Sequence, residues 1–162
     1  MSKRFWWAAK FACCGDVESN PGPLSVGQCL LCPSDPFSPS EDFKLSASIF
    51  KSLPRLLNCP EPCLDAFASP RNHNLPLFWC CHQDAFHLSW LLVEPIWANP
   101  PFSLLKRVAK HLRRFGGHMI LLCPRCHPNF PCVCDLCQSC CCLPRNTPLY
   151  LKNGWDLVPP PL

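Results

Sequence analysis

Apolar residues recur at helical spacing in two stretches of this chain and run together with little polar interruption in four others. Between Asp42 and Leu57, the positions Phe43, Leu45, Ile49, Phe50, Leu53 and Leu56-Leu57 form a loose helical stripe that ends near Asn58-Cys59-Pro60. The second stripe is sharper: Leu104, Leu105, Val108, Leu112 and Phe115 share one face, Ser103 stands where a cap is needed, and Gly116-Gly117 stops the helix. Continuous apolar runs predict buried strands at Cys63 to Ala68, which carries the single acid Asp65, at Leu77 to Cys81, at Pro95-Ile96-Trp97-Ala98 and at His118 to Cys123. Strand, loop, helix, strand is the order of a parallel βαβ unit. The stretch from Glu41 to Pro124 therefore reads as α/β.

Composition narrows the picture. A length of 162 residues allows one domain and little more, and 21 prolines with only 16% charged residues describe a loop-rich chain. The net charge of +4 is too mild to establish a polyanionic partner. The cations are unevenly spread, however, and Lys106, Arg107, Lys110, Arg113 and Arg114 all fall on the polar face of the second predicted helix. That face is either a solvated surface or a stripe that contacts the phosphates of DNA or RNA. No apolar run approaches the roughly 18 residues needed to span a bilayer, so no membrane partner is expected. Lys3-Arg4 and the apolar residues after it resemble the start of a secretory signal, but Lys10 interrupts the run and no small-x-small cleavage site follows. An intracellular location, cytoplasm or nucleus, is expected.

The chain has 16 cysteines, which in a secreted protein would suggest a disulfide scaffold. Their placement argues otherwise, because Cys13-Cys14, Cys80-Cys81 and Cys140-Cys141-Cys142 are adjacent in sequence and awkward for separate bridges. Metal is the chemical alternative. Cys123-Pro124-Arg125-Cys126 and Cys134-Asp135-Leu136-Cys137 are C-x-x-C pairs a short loop apart, with His127, Cys132 and Cys140 as further candidate ligands for a tetrahedral zinc.

The position with the most chemistry is Asn99-Pro100-Pro101-Phe102, at the carboxyl end of a predicted strand, where open α/β sheets place ligands. The Asn99 side-chain oxygen and the Pro100 carbonyl suit an exocyclic amine, whose N–H groups they would accept. Two prolines fix that carbonyl in place, and Phe102 suits stacking on a base turned out of its helix. Asn-Pro-Pro is also a common loop sequence.

Two resemblances bear on function. Gly15 to Pro23 reads GDVESNPGP, and Asp16, Glu18, Asn20, Pro21, Gly22 and Pro23 match the D-x-E-x-N-P-G-P signature of 2A-type ribosome-skipping peptides; without that resemblance the string is a tight turn. The resemblance implies that the Gly22–Pro23 bond is not made during synthesis, that the ribosome is a partner at that moment, and that the first segment stands apart from the fold. The stretches CLDAFASPRNHNLP, FWCCHQDAF, IWANPPFSLLKRVAKHLRRF and HMILLCP resemble the Dam-like N6-adenine methyltransferase domain of DIRS-type retroelements over roughly Glu41 to Leu162. This implies a partial Rossmann-like methyltransferase sheet, S-adenosylmethionine as cofactor near Asp65 and Phe67, and an amine held by Asn99, Pro100, Pro101 and Phe102. Ala68-Ser69-Pro70 replaces the glycine-rich turn of active members, which weakens donor binding.

The reading that results is a 2A-like leader at 1–22, a linker at 23–40, a methyltransferase-like core at 41–124 and an irregular Cys/Pro-rich segment at 125–162. The protein is expected to be retroelement-derived, with a truncated adenine-methyltransferase-like domain. Its competitors are a zinc-dependent nucleic-acid-binding module and a translated relic without a biochemical role.

Overall fold

The computed structural model describes residues 6–13, 43–80, 84–93, 95–124, 127–143, 150–152 and 156–158, and in it the two helical stripes lie on opposite faces of one sheet. The elements run β1 (Trp6–Cys13), β2 (Phe43–Leu45), α1 (Ala47–Leu56), β3 (Leu64–Asp65), β4 (Ile96–Ala98), α2 (Leu105–Phe115), β5 (Gly117–Pro124), α3 (Phe130–Cys134), β6 (Cys137–Leu143), β7 (Tyr150–Lys152) and β8 (Asp156–Val158). The main sheet has the order β3-β4-β5-β1-β6; a second sheet has the order β2-β7-β8. β3, β4 and β5 are parallel, and the β4-α2-β5 crossover is the βαβ unit expected from the sequence. The fold is mixed α/β with a small parallel core.

The parallel strands are buried on both faces, which is why they lack alternation. Ile96, Ala98, Met119, Leu121 and Cys123 pack with Leu105, Val108, Ala109 and Leu112 of α2, while Trp97, Ile120 and Leu122 pack with Leu53 and Leu57 of α1 and its C-terminal turn. Trp97 is fully buried and meets Phe50 edge to face, with centroids 5.1 Å apart. Five elements differ from expectation. The first helix begins at Ala47, not near Asp42, because Phe43–Leu45 pairs with β7 as a strand and Ser46 then caps the helix, its hydroxyl accepting the Ile49 N–H at 3.4 Å. Asn58, at φ 49°, turns the chain out of α1. Ser103 does not cap α2; it lies inside a 3-10 turn over Phe102–Leu104 that leads into the helix, and Gly116 at φ 76° ends it as expected. Of the run Leu77 to Cys81, the described residues 77–80 form a single bridge, in which Phe78 lies beside Asp65, rather than a full strand, and Cys81 lies outside the described residues.

The other two differences are larger. Where it is described, the C-terminal segment is regular, containing α3, β6, β7 and β8. The segment set apart as a leader supplies β1, which lies antiparallel between β5 and β6 with Ala9 opposite Leu121 on one side and Cys140 on the other.

Candidate functional site

Three loops leave the carboxyl edge of the parallel strands, and those after β4 and β5 touch. The loop after β4 is Asn99-Pro100-Pro101-Phe102; Asn99 is half-buried, Pro100 buried, Pro101 exposed and Phe102 half-buried. Neither proline has an N–H to donate, so the backbone here is held by shape and by neighbours. The Leu104 N–H donates to the Pro101 carbonyl at 2.8 Å, and Asn129 Nδ2 donates to the Phe102 carbonyl at 3.2 Å. The Phe102 ring stands 5.6 Å from the His127 ring, which brings the loop after β5 against the tetrad. His127 Nδ1 accepts the Asn129 N–H at 3.1 Å, which leaves the other ring nitrogen carrying the proton in the neutral form. Sequence reading gave His127 only as a metal ligand and passed over Asn129; the signal for both was their place just beyond a parallel strand.

The loop after β3 is built differently. Asp65 ends the strand opposite Trp97, and the Ala66 N–H donates to the Trp97 carbonyl at 2.9 Å. The residues after it close on themselves: the Ser69 N–H donates to Asn72 Oδ1 at 2.7 Å, the Arg71 N–H to Ser69 Oγ at 3.2 Å, and the Asn72 and His73 N–H groups to the Ser69 carbonyl at 3.3 and 3.2 Å. The Asn74 N–H reaches back to Asp65 Oδ2 at 2.9 Å, and the Ala68 N–H is taken by the Trp79 carbonyl at 3.0 Å. Burial pushes the Asp65 carboxyl up to about 7, against the pull of the Asn74 and Phe67 N–H groups and of Lys44. Phe67 is half-buried and packs against the core, 5.5 Å from Phe86 and 6.3 Å from Trp90.

Compared with known proteins, the chain matches no family model, no curated protein and no solved structure. Its function must be argued from this edge and the surfaces around it.

On α2 the predicted basic face is exposed but divided. Arg107 donates to Asp84 at 3.1 Å and lies 4.0 Å over the Phe86 ring. Partial burial draws the Asp84 carboxyl upward, but the Phe86 N–H and the Arg107 guanidinium outweigh it and hold it below the usual carboxylate range. Arg113 donates to the Cys132 carbonyl at 3.1 Å and stands 3.9 Å from Asp135, tying α2 to α3. Arg114 sits 5.0 Å over Phe115. Lys106 and Lys110 make no ion pair among the described residues. On the opposite side of the helix His111 is buried against Trp90, Phe86 and Phe115, and its Nε2 has no partner among the described residues.

The candidate zinc ligands are partly brought together. Burial first, then Cys134 and Cys137, pushes the Cys123 thiol up to about 12, and burial first, then Cys140 and Cys134, pushes that of Cys137 up to about 11. No group of three or more potential ligands is close enough to hold a metal among the described residues; Cys126 lies outside them. So do all the motif residues Asp16, Glu18, Asn20, Pro21, Gly22 and Pro23. Among the described residues no helix is long and apolar enough to cross a membrane.

Proposed function

We propose that this chain is a retroelement-derived, adenine-methyltransferase-like domain that binds nucleic acid and a base amine but does not transfer methyl groups, made behind a 2A-like leader that separates during synthesis. The observation that carries the acceptor half is the parallel β4-α2-β5 unit, which sets Asn99-Pro100-Pro101-Phe102 at the carboxyl end of β4 with the exposed Lys106 and Lys110 on the helix that follows. Asn99 and the Pro100 carbonyl would accept the amine's N–H groups, and the helix would supply phosphate contacts.

The donor half does not fit S-adenosylmethionine. In a glycine-rich turn, backbone N–H groups face the ligand and the chain approaches it closely. Here the N–H groups of Ala68, Ser69, Arg71, Asn72, His73 and Asn74 are all consumed inside the protein, and Asp65 is spent on the Asn74 N–H. Calorimetric titration with S-adenosylmethionine is expected to give no heat of binding, while an adenine-containing single strand binds. Methyl transfer to adenine that is lost in Asn99→Ala would reverse the conclusion about the donor.

A further inference from the structure

β6 is joined to the sheet through β1 alone: among the described residues, Cys137–Leu143 pairs with Phe11 back to Trp6 and with no other strand. β5 depends on the same strand. Its parallel neighbour β4 pairs with it only at Met119, Ile120 and Leu121, whereas β1 pairs along the whole of Gly117–Pro124. Removing residues 6–13 would leave the apolar run Met119 to Cys123 with a bare row of backbone donors and acceptors, the kind of edge that recruits another strand. The separation motif, Asp16 to Pro23, lies just beyond Cys13. A leader ending at Gly22 would therefore own the strand that joins β5 to β6.

We propose that the leader does not leave. The 1–22 piece stays bound to the 23–162 product through its strand Trp6–Cys13, between β5 and β6, so that one round of translation yields a two-chain protein sharing one sheet. The two-chain outcome rests on the separation read from Asp16 to Pro23; the strand pairing does not. The register identifies the occupant, because only a strand antiparallel to both neighbours, with its irregularity between Lys10 and Phe11, satisfies both edges at once. A second copy of the larger product, pairing edge to edge through β5, would leave β6 without a partner.

The test begins with cell-free translation of the chain carrying an N-terminal tag. Capture of the tag recovers the 23–162 product in equal molar amount. If translation gives only the full-length chain, the separation reading has failed, and the strand is tested by itself. The Pro23→Ala chain, with a protease site inserted between residues 23 and 42, is folded uncut and then cleaved. The pieces co-elute on gel filtration, and the amides of Gly117–Pro124 keep their protection from hydrogen exchange. In either arm Ala9→Pro, which removes a ladder donor from a central strand, lowers recovery to less than about a tenth. A leader recovered apart from the larger piece, whether or not that piece aggregates, overturns the proposal, and so does recovery that Ala9→Pro leaves unchanged.

Discussion

The loops after β3 and β4 leave the same edge of the sheet on neighbouring strands, and they are held in opposite ways. After β3, a ring of backbone N–H groups closes on Ser69, Asn72 and Asp65. After β4, two prolines offer no N–H at all, and the loop is fixed by the 3-10 turn behind it and by Asn129 beside it. The first loop spends its N–H groups on itself; the second has none to spend at Pro100 and Pro101, and two of its carbonyls, those of Pro101 and Phe102, are already taken within the protein. Under the proposed function, this difference is the one expected of a domain that holds a base amine without binding a methyl donor.

The largest expected effect comes from the residue that supports both loops. The Trp97 backbone pairs with Asp65 and accepts the Ala66 N–H, and its ring is fully buried against Phe50; Trp97→Ala keeps the backbone bonds but removes the ring beneath both loops, and is expected to cost about 3–5 kcal/mol in urea denaturation. A loss below about 1 kcal/mol would show that the two loops do not share one support.

Asp65 separates the loops by pH. Its folded carboxyl is raised from 3.8 to about 7, so the folded state holds the proton more tightly than the unfolded chain. Its contribution is therefore fully present below about 4 and is lost as pH rises through 7. Asp65→Asn keeps an oxygen for the Asn74 N–H without the buried charge. It should raise stability by about 1 kcal/mol or more at pH 8 and change little at pH 4, as read from denaturant midpoints at the two values. A uniform loss at both pH values would mean that the carboxylate itself holds the loop.

His111 titrates in the opposite sense. Burial first, then Arg107, lowers it to about 4, so the unfolded chain takes up its proton first and stability falls as pH drops from 6.5 toward 4. Asp65 gains over nearly the same window, and the two slopes partly cancel in the unmodified protein. His111→Phe should expose the Asp65 slope alone, giving a melting temperature that falls from pH 4 to pH 7. A flat profile in that variant would contradict the Asp65 assignment, and a profile identical to that of the unmodified protein would contradict the one for His111.

The smallest effect concerns the cations of α2. Replacing both Lys106 and Lys110 with Gln should weaken binding to a single-stranded oligonucleotide and flatten its salt dependence by about two counterions, with little change in stability. Arg107→Ala should do the reverse, costing stability through Asp84 and Phe86 more than binding.

What the sequence made legible follows from how each element is buried. α2 was plain because a helix with one wet face shows its stripe, and β4 and β5 were plain because strands covered on both faces are apolar throughout. The tetrad could be placed at a strand end for the same reason. β2 was absorbed into the helix that follows it, since Phe43 and Leu45 fit either period and only pairing with β7 decides. β6 reads CQSCCCL, where cysteine suggests ligand chemistry before it suggests a strand. β1 lacks alternation and adjoins a motif that directs attention to processing, so only its partners reveal it. The closed loop after β3 was half legible: the absence of glycine from Ala68-Ser69-Pro70 was visible, but the ring of N–H groups that closes on Ser69 and Asn72 depends on φ and ψ that no spacing encodes.

The most direct measurement of base-amine recognition compares two single-stranded oligonucleotides that differ at one position, adenine in one and unsubstituted purine in the other, against the unmodified protein and Asn99→Ala. The two strands carry the same phosphates and the same ring, so their difference reports the amine. The account predicts that the unmodified protein binds the adenine strand about fivefold or more tightly, a little over 1 kcal/mol, and that Asn99→Ala abolishes the difference while keeping most of the affinity. Equal affinity for the two strands in the unmodified protein would contradict it.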